Sequence, residues 1–269
     1  MIPPRSLISA AIALLAAFLL PACSQAESDG SYKTAASSEG FDHAHQVFTQ
    51  VLSAHIRKGK VDYAALKKKP GALNAYLDTL AAVSKKDYDR WSKQEQMAFL
   101  INLYNASTLK LIIDHYPVKS IKDIGSIIKG PWKQEVVRLF GKIETLDHVE
   151  HDLLRPKFND PRVHFAVNCA SIGCPDLRTE AFQASRLDAQ LEEQTRSFLR
   201  DHSRNRVDAK NKTLHLSLIF KWFKEDFVKK SGSVEKFVAP YFEVADRTII
   251  QRGGLGVNHT DYDWYLNKQ

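Results

Sequence analysis

The most constraining feature of the sequence is a long apolar segment that begins after Ser92. Ser92 and Glu95 have the spacing of a capping box, in which each side chain accepts a hydrogen bond from the backbone N–H of the other residue. Residues 98–113 are mostly apolar, and Pro117 prevents the helix from continuing far beyond His115. A helix this apolar has no wide polar face for solvent. We therefore expect it to lie at the centre of the domain, buried on most sides.

The remaining apolar patterns predict a mainly helical domain with a few short strands. No internal repeat or linker interrupts the chain after residue 40, so we expect one α+β domain over residues 41–269 with a small antiparallel sheet. The predicted helices span residues 41–56, 70–83, 148–154, 187–199 and 219–241; the hairpins span residues 136–146 and 207–218; the single strands span residues 162–168 and 262–266.

The N-terminus has the pattern of a bacterial secretory signal. Arg5 precedes an uncharged, mostly apolar segment, Ser6–Leu20, which is too short to span a hydrocarbon core of about 30 Å. Leu-Pro-Ala then precedes Cys23, an arrangement that resembles a lipobox. We predict a signal peptide over residues 1–22 and a lipid anchor on Cys23 that attaches the protein to the membrane.

The residues that follow Cys23 bear on its destination. Ser24 stands where an aspartate would indicate retention in the inner membrane, so we expect a periplasmic protein anchored to the outer membrane. Residues 23–40 are rich in Ser, Ala and Glu and are predicted to be a flexible tether. Ordinary signal cleavage after Ala26 is the alternative.

Composition and charge exclude several function classes. Apolar residues make up 44% and charged residues 26% of the chain, as in ordinary globular proteins. The net charge of +7 is modest and spread along the chain, so we expect no nucleic-acid partner. Three cysteines are too few for a disulfide scaffold. His148 and His151 are one residue closer together than the paired histidines of zinc helices. We therefore expect no metal and no cofactor.

Cys169 and Cys174 are the most reactive side chains of the predicted domain. They lie in a loop after the strand predicted over residues 162–168. A nucleophilic cysteine needs thiolate character, which a neighbouring base supplies. The alternative is a structural disulfide between the two, which suits an oxidising periplasm.

Polar residues in apolar segments complete the candidate set. Asn102 and Asn105 share a face of the long helix, and buried amides must be hydrogen-bonded. They therefore either hold neighbouring backbone or line a site. His164 and Asn168 alternate onto one face of the predicted strand, which points to solvent or to a site.

Several segments, taken together and in order, resemble the domain of unknown function 547 family in a bacterial secreted lipoprotein form. The family carries no established reaction, so the resemblance identifies a domain without a function. It does imply that Cys169 does more than pair with Cys174, and that Glu150, His151 and Arg155 belong to the shared pattern. The matching segments are Phe99–Ala106, His115–Ser120, Val149–Arg155, Val163–Pro175, Leu187–Leu191 and Ser217–Trp222.

One functional hypothesis is a thiol-dependent hydrolase or transferase that acts on peptide or amide bonds. Cys169 is then the nucleophile, His151 the general base, and Glu150 or Asn168 the group that orients the imidazole. Because His151 precedes Cys169, a cysteine-hydrolase-like core requires a permuted chain order. The residues predicted to bind substrate or support the site are Asn102, Asn105, Arg155 and His164.

The other hypothesis is a non-catalytic periplasmic binding or scaffold module with a structural disulfide between Cys169 and Cys174. Its ligand is a peptide, a cell-wall fragment or a protein. The two hypotheses differ in whether a thiol and an imidazole meet in space. We expect Cys169, His151 and at least one of Asn102 and Asn105 to line one pocket.

Lipidation of Cys23 is the first testable prediction. Mass spectrometry of protein isolated from membranes should show a diacylglyceryl group on Cys23, because the apolar segment ends at the residue before it. A Cys23→Ser variant serves as the control and should lose membrane attachment. Recovery of an unmodified soluble form that begins at Glu27 contradicts the prediction.

Overall fold

The computed structural model describes residues 40–126 and 128–269. The predicted signal peptide, Cys23 and residues 23–39 of the predicted tether lie outside these ranges. None of the helices in the described ranges combines the length and hydrophobicity that a membrane-spanning segment needs.

The described residues form mainly helices, with short strands between them. The prediction of a mainly helical α+β domain with small antiparallel sheets is confirmed. The α-helices are α1 Gln46–His55, α2 Tyr63–Lys68, α3 Gly71–Ala81, α4 Lys85–Tyr88, α5 Lys93–His115, α6 Arg155–Phe158, α7 Leu187–Leu199, α8 Ile219–Trp222, α9 Lys224–Ser231, α10 Val234–Val238 and α11 Val244–Arg252. The strands are β1 Ile56–Arg57, β2 Lys60–Val61, β3 Glu135–Leu139, β4 Lys142–Thr145, β5 Arg206–Asp208, β6 Thr213–Ser217 and β7 Gly256–Thr260.

The strands form small separate sheets. β1 pairs with β2, and β3 with β4, both antiparallel. β5 pairs antiparallel with β6, and β7 adds to the other edge of β6 in parallel. The hairpins β3–β4 and β5–β6 match the predicted hairpins, whereas the sequence did not predict β7.

Helix α5 occupies the centre of the larger hydrophobic core, as predicted. Its first turn is closed by the Ser92–Glu95 capping box. Every residue from Gln96 to Ile113 except Lys110 is buried. A second, aromatic cluster forms around β6 and helices α8–α10. Together the two clusters enclose most of the apolar residues of the domain.

Asn102 and Asn105 hold backbone segments against α5. The Asn102 amide donates to the Phe182 carbonyl at 2.8 Å and accepts from the Phe182 N–H at 3.0 Å. The Asn105 amide donates to the Ala166 carbonyl at 2.9 Å and accepts from the Asn168 N–H at 2.9 Å. Each side chain therefore satisfies one backbone donor and one backbone acceptor that would otherwise be buried without partners.

The strand predicted over residues 162–168 is wrong. Residues Pro161–Phe165 form a 3₁₀ helix that Asp160 caps by accepting from the Arg162 N–H. Proline fits the first turn of a helix, where its missing N–H has no helical partner. The alternating burial expected of a strand is consequently absent here, and both His164 and Asn168 are buried.

The short helix predicted to end before Pro156 is longer than expected, and its first part is a π-helix. Residues His148–Leu154 form a π-helical turn, and α6 then continues through Pro156. The Arg155 N–H donates to the Glu150 carbonyl, five residues back. This wider turn precedes a proline that has no N–H to continue an ordinary α-helical ladder.

The C-terminal predictions need two corrections. The helix predicted over residues 219–241 is divided into α8, α9, α10 and a 3₁₀ turn Ala239–Tyr241, with breaks at Phe223 and Gly232. Residues 262–266 do not form the predicted strand, and the preceding strand, β7, ends at Thr260. Residues near the C-terminus instead make two isolated bridges, Ser171–Leu266 and Val61–Lys268.

Replacing Asn102 by alanine should destabilise the domain by about 2–4 kcal/mol, because the Phe182 N–H and carbonyl both lose their buried partner. Urea unfolding measures the effect. Asn258→Ala, at an exposed position of β7, serves as the control and should change the free energy of unfolding by less than about 0.5 kcal/mol. Equal stability of the two variants would show that the Asn102 amide does not hold Phe182.

Candidate functional site

A cavity of about 500 Å³ lies where the two hydrophobic clusters meet. Its walls come from α5, the π-helical turn, the loop after the 3₁₀ helix Pro161–Phe165, α8 and the C-terminal segment. A concave, largely apolar cavity with a few polar groups is the usual form of a ligand site. Its lining residues are Tyr104, Ile128, Gly130, Trp132, Lys133, Asp147, Glu150, His151, Arg155, His164, Val167, Cys169, Cys174, Pro175, Ile219, Trp222, Phe223, Tyr262 and Trp264.

Aromatic rings form a continuous wall on one side of this cavity. The Tyr262 ring lies 4.5 Å from Trp264 and 4.8 Å from Trp222, measured between centroids. Trp132 meets Trp264 edge-on at 5.7 Å. Trp222 is 44% exposed, although it is a large apolar side chain. The wall therefore presents apolar ring faces to whatever enters the cavity.

Cys169 and Cys174 are joined by a disulfide, with their Sγ atoms 2.13 Å apart. The hydroxyl of Tyr262 lies 3.2 Å from each sulfur, and the hydroxyl of Ser171 lies 3.2 Å from the Cys169 sulfur. Burial raises the pKa of Tyr262, so its hydroxyl keeps its proton at neutral pH. The predicted pairing of Cys169 with Cys174 is confirmed, and the disulfide forms part of the cavity wall.

Opposite the disulfide, a chain of charged groups links the π-helical turn to α9. Arg155 donates to the His151 Nδ1 at 2.7 Å, and its other nitrogens donate to Asp226 at 2.7 and 3.2 Å. The His164 Nε2 donates to the same Asp226 at 2.7 Å. The His164 ring stacks on Phe223, with 3.9 Å between centroids. These contacts fix the orientation of Arg155 and of both histidines.

Asp226 stays ionised because of these two donors. Burial opposes its ionisation, but the hydrogen bonds from His164 and Arg155 outweigh that effect and hold the pKa of Asp226 well below its usual range. The same hydrogen bonding raises the pKa of Arg155. The sequence had not indicated Asp226. The segments that resemble the family end at Trp222, before Asp226, so they carry no signal for it.

Glu150 is buried at the inner end of the cavity. It is 7% exposed, and its Oε1 lies 3.9 Å from the His164 Nδ1. Burial and the neighbouring Glu150 charge raise the pKa of Tyr104, whose ring lines the same cavity. The ring nitrogens of His151 contact Arg155 and Asp147 rather than Glu150.

The structure brings together five of the eight predicted site residues. Cys169, His151, Glu150, Arg155 and His164 line one cavity. Asn102 and Asn105 do not line it, so the expectation that one of them would is wrong; their amides are taken by backbone. Asn168 is similarly occupied, since its amide donates to the Pro175 carbonyl and accepts from the Ala170 N–H.

Cys169 and His151 share the cavity without a hydrogen bond between them in the described part of the chain. The hydroxyls near the Cys169 sulfur belong to Ser171 and Tyr262. His151 Nδ1 accepts from Arg155, and its Nε2 lies 3.5 Å from Asp147. The catalytic role of the pair stays a prediction.

Within residues 40–126 and 128–269, no group of three or more His, Cys, Asp or Glu side chains is arranged to hold a metal ion. In the His148–His151 region, His148 pairs with the Asp152 carboxylate at 2.8 Å.

Comparison with known proteins identifies a family for part of the chain. Residues 88–199 match the family model described as "Protein of unknown function, DUF547". No curated protein and no solved structure matches the chain. The matched segment contains the π-helical turn, the disulfide loop and most of the polar cavity wall. The family description assigns no reaction.

Replacing Asp226 by asparagine should lower the free energy of unfolding at pH 7 by about 2 kcal/mol, because Arg155 and His164 lose their anionic partner. The folded pKa of Asp226 lies below its unfolded value of about 3.9. Its contribution is therefore complete above that pH and decreases as the pH falls below it. Urea unfolding at pH 7 and pH 3 measures both effects.

The stability difference between wild type and Asp226→Asn should accordingly shrink in acid. Glu225→Gln is the matched control, since Glu225 is its exposed neighbour on α9. A difference that is equal at both pH values would contradict the charge-based explanation.

Proposed function

We propose that the domain is a binding module of the cell envelope, and that its cavity takes a short peptide or a peptide-like fragment. The observation that carries this proposal is the combination of an aromatic-walled cavity with a wall cysteine that is already bonded to its neighbour. An apolar cavity with a few fixed polar groups favours binding of an amphipathic small ligand.

The contacts of the two sulfur atoms favour binding over thiol catalysis. A catalytic cysteine needs a base within hydrogen-bond reach. The groups beside Cys169 are instead the hydroxyls of Ser171 and Tyr262, and neither is a base at neutral pH. The imidazole of His151 is held by Arg155 on its Nδ1 side. These contacts hold the cavity wall rigid. A rigid wall lowers the entropic cost of binding, because little freedom is lost when the ligand enters.

Charges of both signs at the cavity favour a peptide-like ligand. Glu150 supplies a buried negative charge, and Lys133 supplies an exposed positive charge. Lys133 is exposed where it lines the cavity, so a ligand can reach its amine. A short peptide carries both an ammonium and a carboxylate group, separated by apolar side chains.

We further propose that this module works at the outer membrane, attached through a lipid on Cys23. The apolar segment before Cys23 supports export. The disulfide between Cys169 and Cys174 suits an oxidising compartment, because cytosolic thiols are kept reduced.

A thiol-dependent hydrolase or transferase is the second candidate function. It is favoured by the position of Cys169 in the same cavity as His151, and by the greater exposure of Cys169 relative to Cys174. This function requires reduction of the disulfide by a thiol. The freed Cys169 thiolate then attacks an amide carbonyl, the amine leaves with a proton, and water hydrolyses the thioester.

Tryptophan fluorescence should report binding directly. Trp132, Trp222 and Trp264 line the cavity, whereas Trp91 packs elsewhere, against Phe41 and Phe99. Titration with trialanine, Ala-Lys-Ala and Ala-Phe-Ala should give a saturable change in the wild type. Trp222→Ala should weaken binding about tenfold, because it removes an exposed ring face of the wall. Trp91→Phe is the control and should leave the affinity unchanged.

A double variant, Cys169→Ser with Cys174→Ser, separates the two candidate functions. It should lose about 2 kcal/mol of stability and still bind the same peptides. The opposite result, hydrolysis of acetylated peptide amides by the reduced wild type that disappears in Cys169→Ser, would support the thiol enzyme and overturn the binding module.

A further inference from the structure

Glu150 lines the cavity from a segment whose backbone is anchored in the core. Its carboxylate lies in the π-helical turn, where Val149 and Leu154 are fully buried and anchor the backbone. The side chain is 7% exposed and lines the cavity. It therefore meets the contents of the cavity from a rigid position.

The protein leaves the charge of Glu150 without a direct cationic partner. Throughout the described residues, the only basic group within 4.0 Å of this carboxylate is the His164 Nδ1, at 3.9 Å. That distance exceeds a hydrogen bond, and the Nδ1 has no other partner there. Arg155 is the nearest permanent cation along the turn, and it is bonded to Asp226 and His151. The Tyr104 hydroxyl bonds to Glu150, and the Glu150 charge acts on Arg155, but neither residue brings a cation into contact with the carboxylate. A buried carboxylate is stabilised when a contacting cation is supplied.

The aromatic walls supply the other half of a cation site. Tyr104, Trp132, Phe223 and Tyr262 line the same cavity as Glu150. Aromatic faces attract ammonium groups through their quadrupole, and the attraction is stronger where water is excluded. A carboxylate surrounded by such rings favours an organic cation over a strongly hydrated metal ion.

We infer that the cavity recognises its ligand through an alkylammonium group, with Glu150 as the counter-ion. This inference rests on the proposed binding function and specifies the ligand. The ammonium group enters along the tryptophan wall and donates hydrogen bonds to the Glu150 carboxylate. Two sources carry such a group, the N-terminus of a peptide and the side chain of a lysine-like residue.

The test compares ligands that differ only in this group, by tryptophan fluorescence and calorimetry. Trialanine is compared with N-acetyl-trialanine, and acetyl-Ala-Lys-Ala-amide with the same peptide carrying norleucine in place of lysine. The member with the free amine should bind about tenfold or more tightly in at least one pair. Preference in the first pair identifies an N-terminus as the ligand group, and preference in the second identifies a side-chain amine.

Glu150→Gln should abolish this preference, bringing the two members of the pair to similar affinity. The unliganded variant should melt at the same or a higher temperature than the wild type, because a buried charge without a partner is removed. Asp152→Asn, in the same turn but exposed, is the matched control and should keep the preference.

The outcomes separate the inference from the function on which it rests. Equal binding of the amine and acetylated peptides, unaffected by Glu150→Gln, overturns the inference and leaves the binding module standing. A Glu150→Gln variant that melts lower and keeps the amine preference also overturns it, since Glu150 is then structural. No fluorescence change and no heat with any of these peptides at millimolar concentration would overturn both.

Discussion

Burial of the polar groups on α5 is the constraint on which the rest of the structure depends. A helix that is buried almost all round cannot leave Asn102 and Asn105 without partners. Their amides bind the backbone of Phe182 and of Ala166–Asn168, segments far away in the sequence. Asn168 then holds the loop that carries Cys169. The central helix thereby fixes the position of the disulfide wall.

The orientation of Arg155 and His164 depends on Asp226 and Phe223. Asp226 accepts hydrogen bonds from both Arg155 and His164, and Phe223 stacks on His164 while lying 5.0 Å from the Arg155 guanidinium. One carboxylate and one ring from the C-terminal cluster therefore orient two residues from the central part of the chain. Arg155 and the His164 Nε2 are both bonded to Asp226, so within the described residues Glu150 is left with the His164 Nδ1, at 3.9 Å, as its nearest basic atom. Asp226 therefore takes the hydrogen bonds of the two basic residues that lie beside Glu150 in the cavity wall.

The sequence predicted those features that depend on local chemistry. The Ser92–Glu95 capping box and the apolar run fixed the start and the burial of α5, and two hairpins followed from their turn residues. The disulfide pairing was one of two alternatives that spacing allowed. By contrast, the segment over residues 162–168 alternates like a strand, yet its conformation is decided by Pro161 and the Asp160 cap at its start. The contact between Arg155 and Asp226 joins residues far apart in the chain, which no local pattern shows.

The π-helical turn and the residues at its two ends carry four of the residues that line the cavity, and no local sequence pattern predicted its winding. An α-helix over His148–Leu154 would set its N–H ladder at four-residue spacing, and Pro156 would interrupt it. The wider turn instead lets Arg155 donate its N–H to Glu150 and carries the helix past the proline. Asp147, Glu150, His151 and Arg155 all line the cavity as a result. Such turns recur at functional sites, since they turn extra side chains toward one face at some cost in backbone geometry. In this domain the turn carries Glu150, a buried carboxylate that lines the cavity.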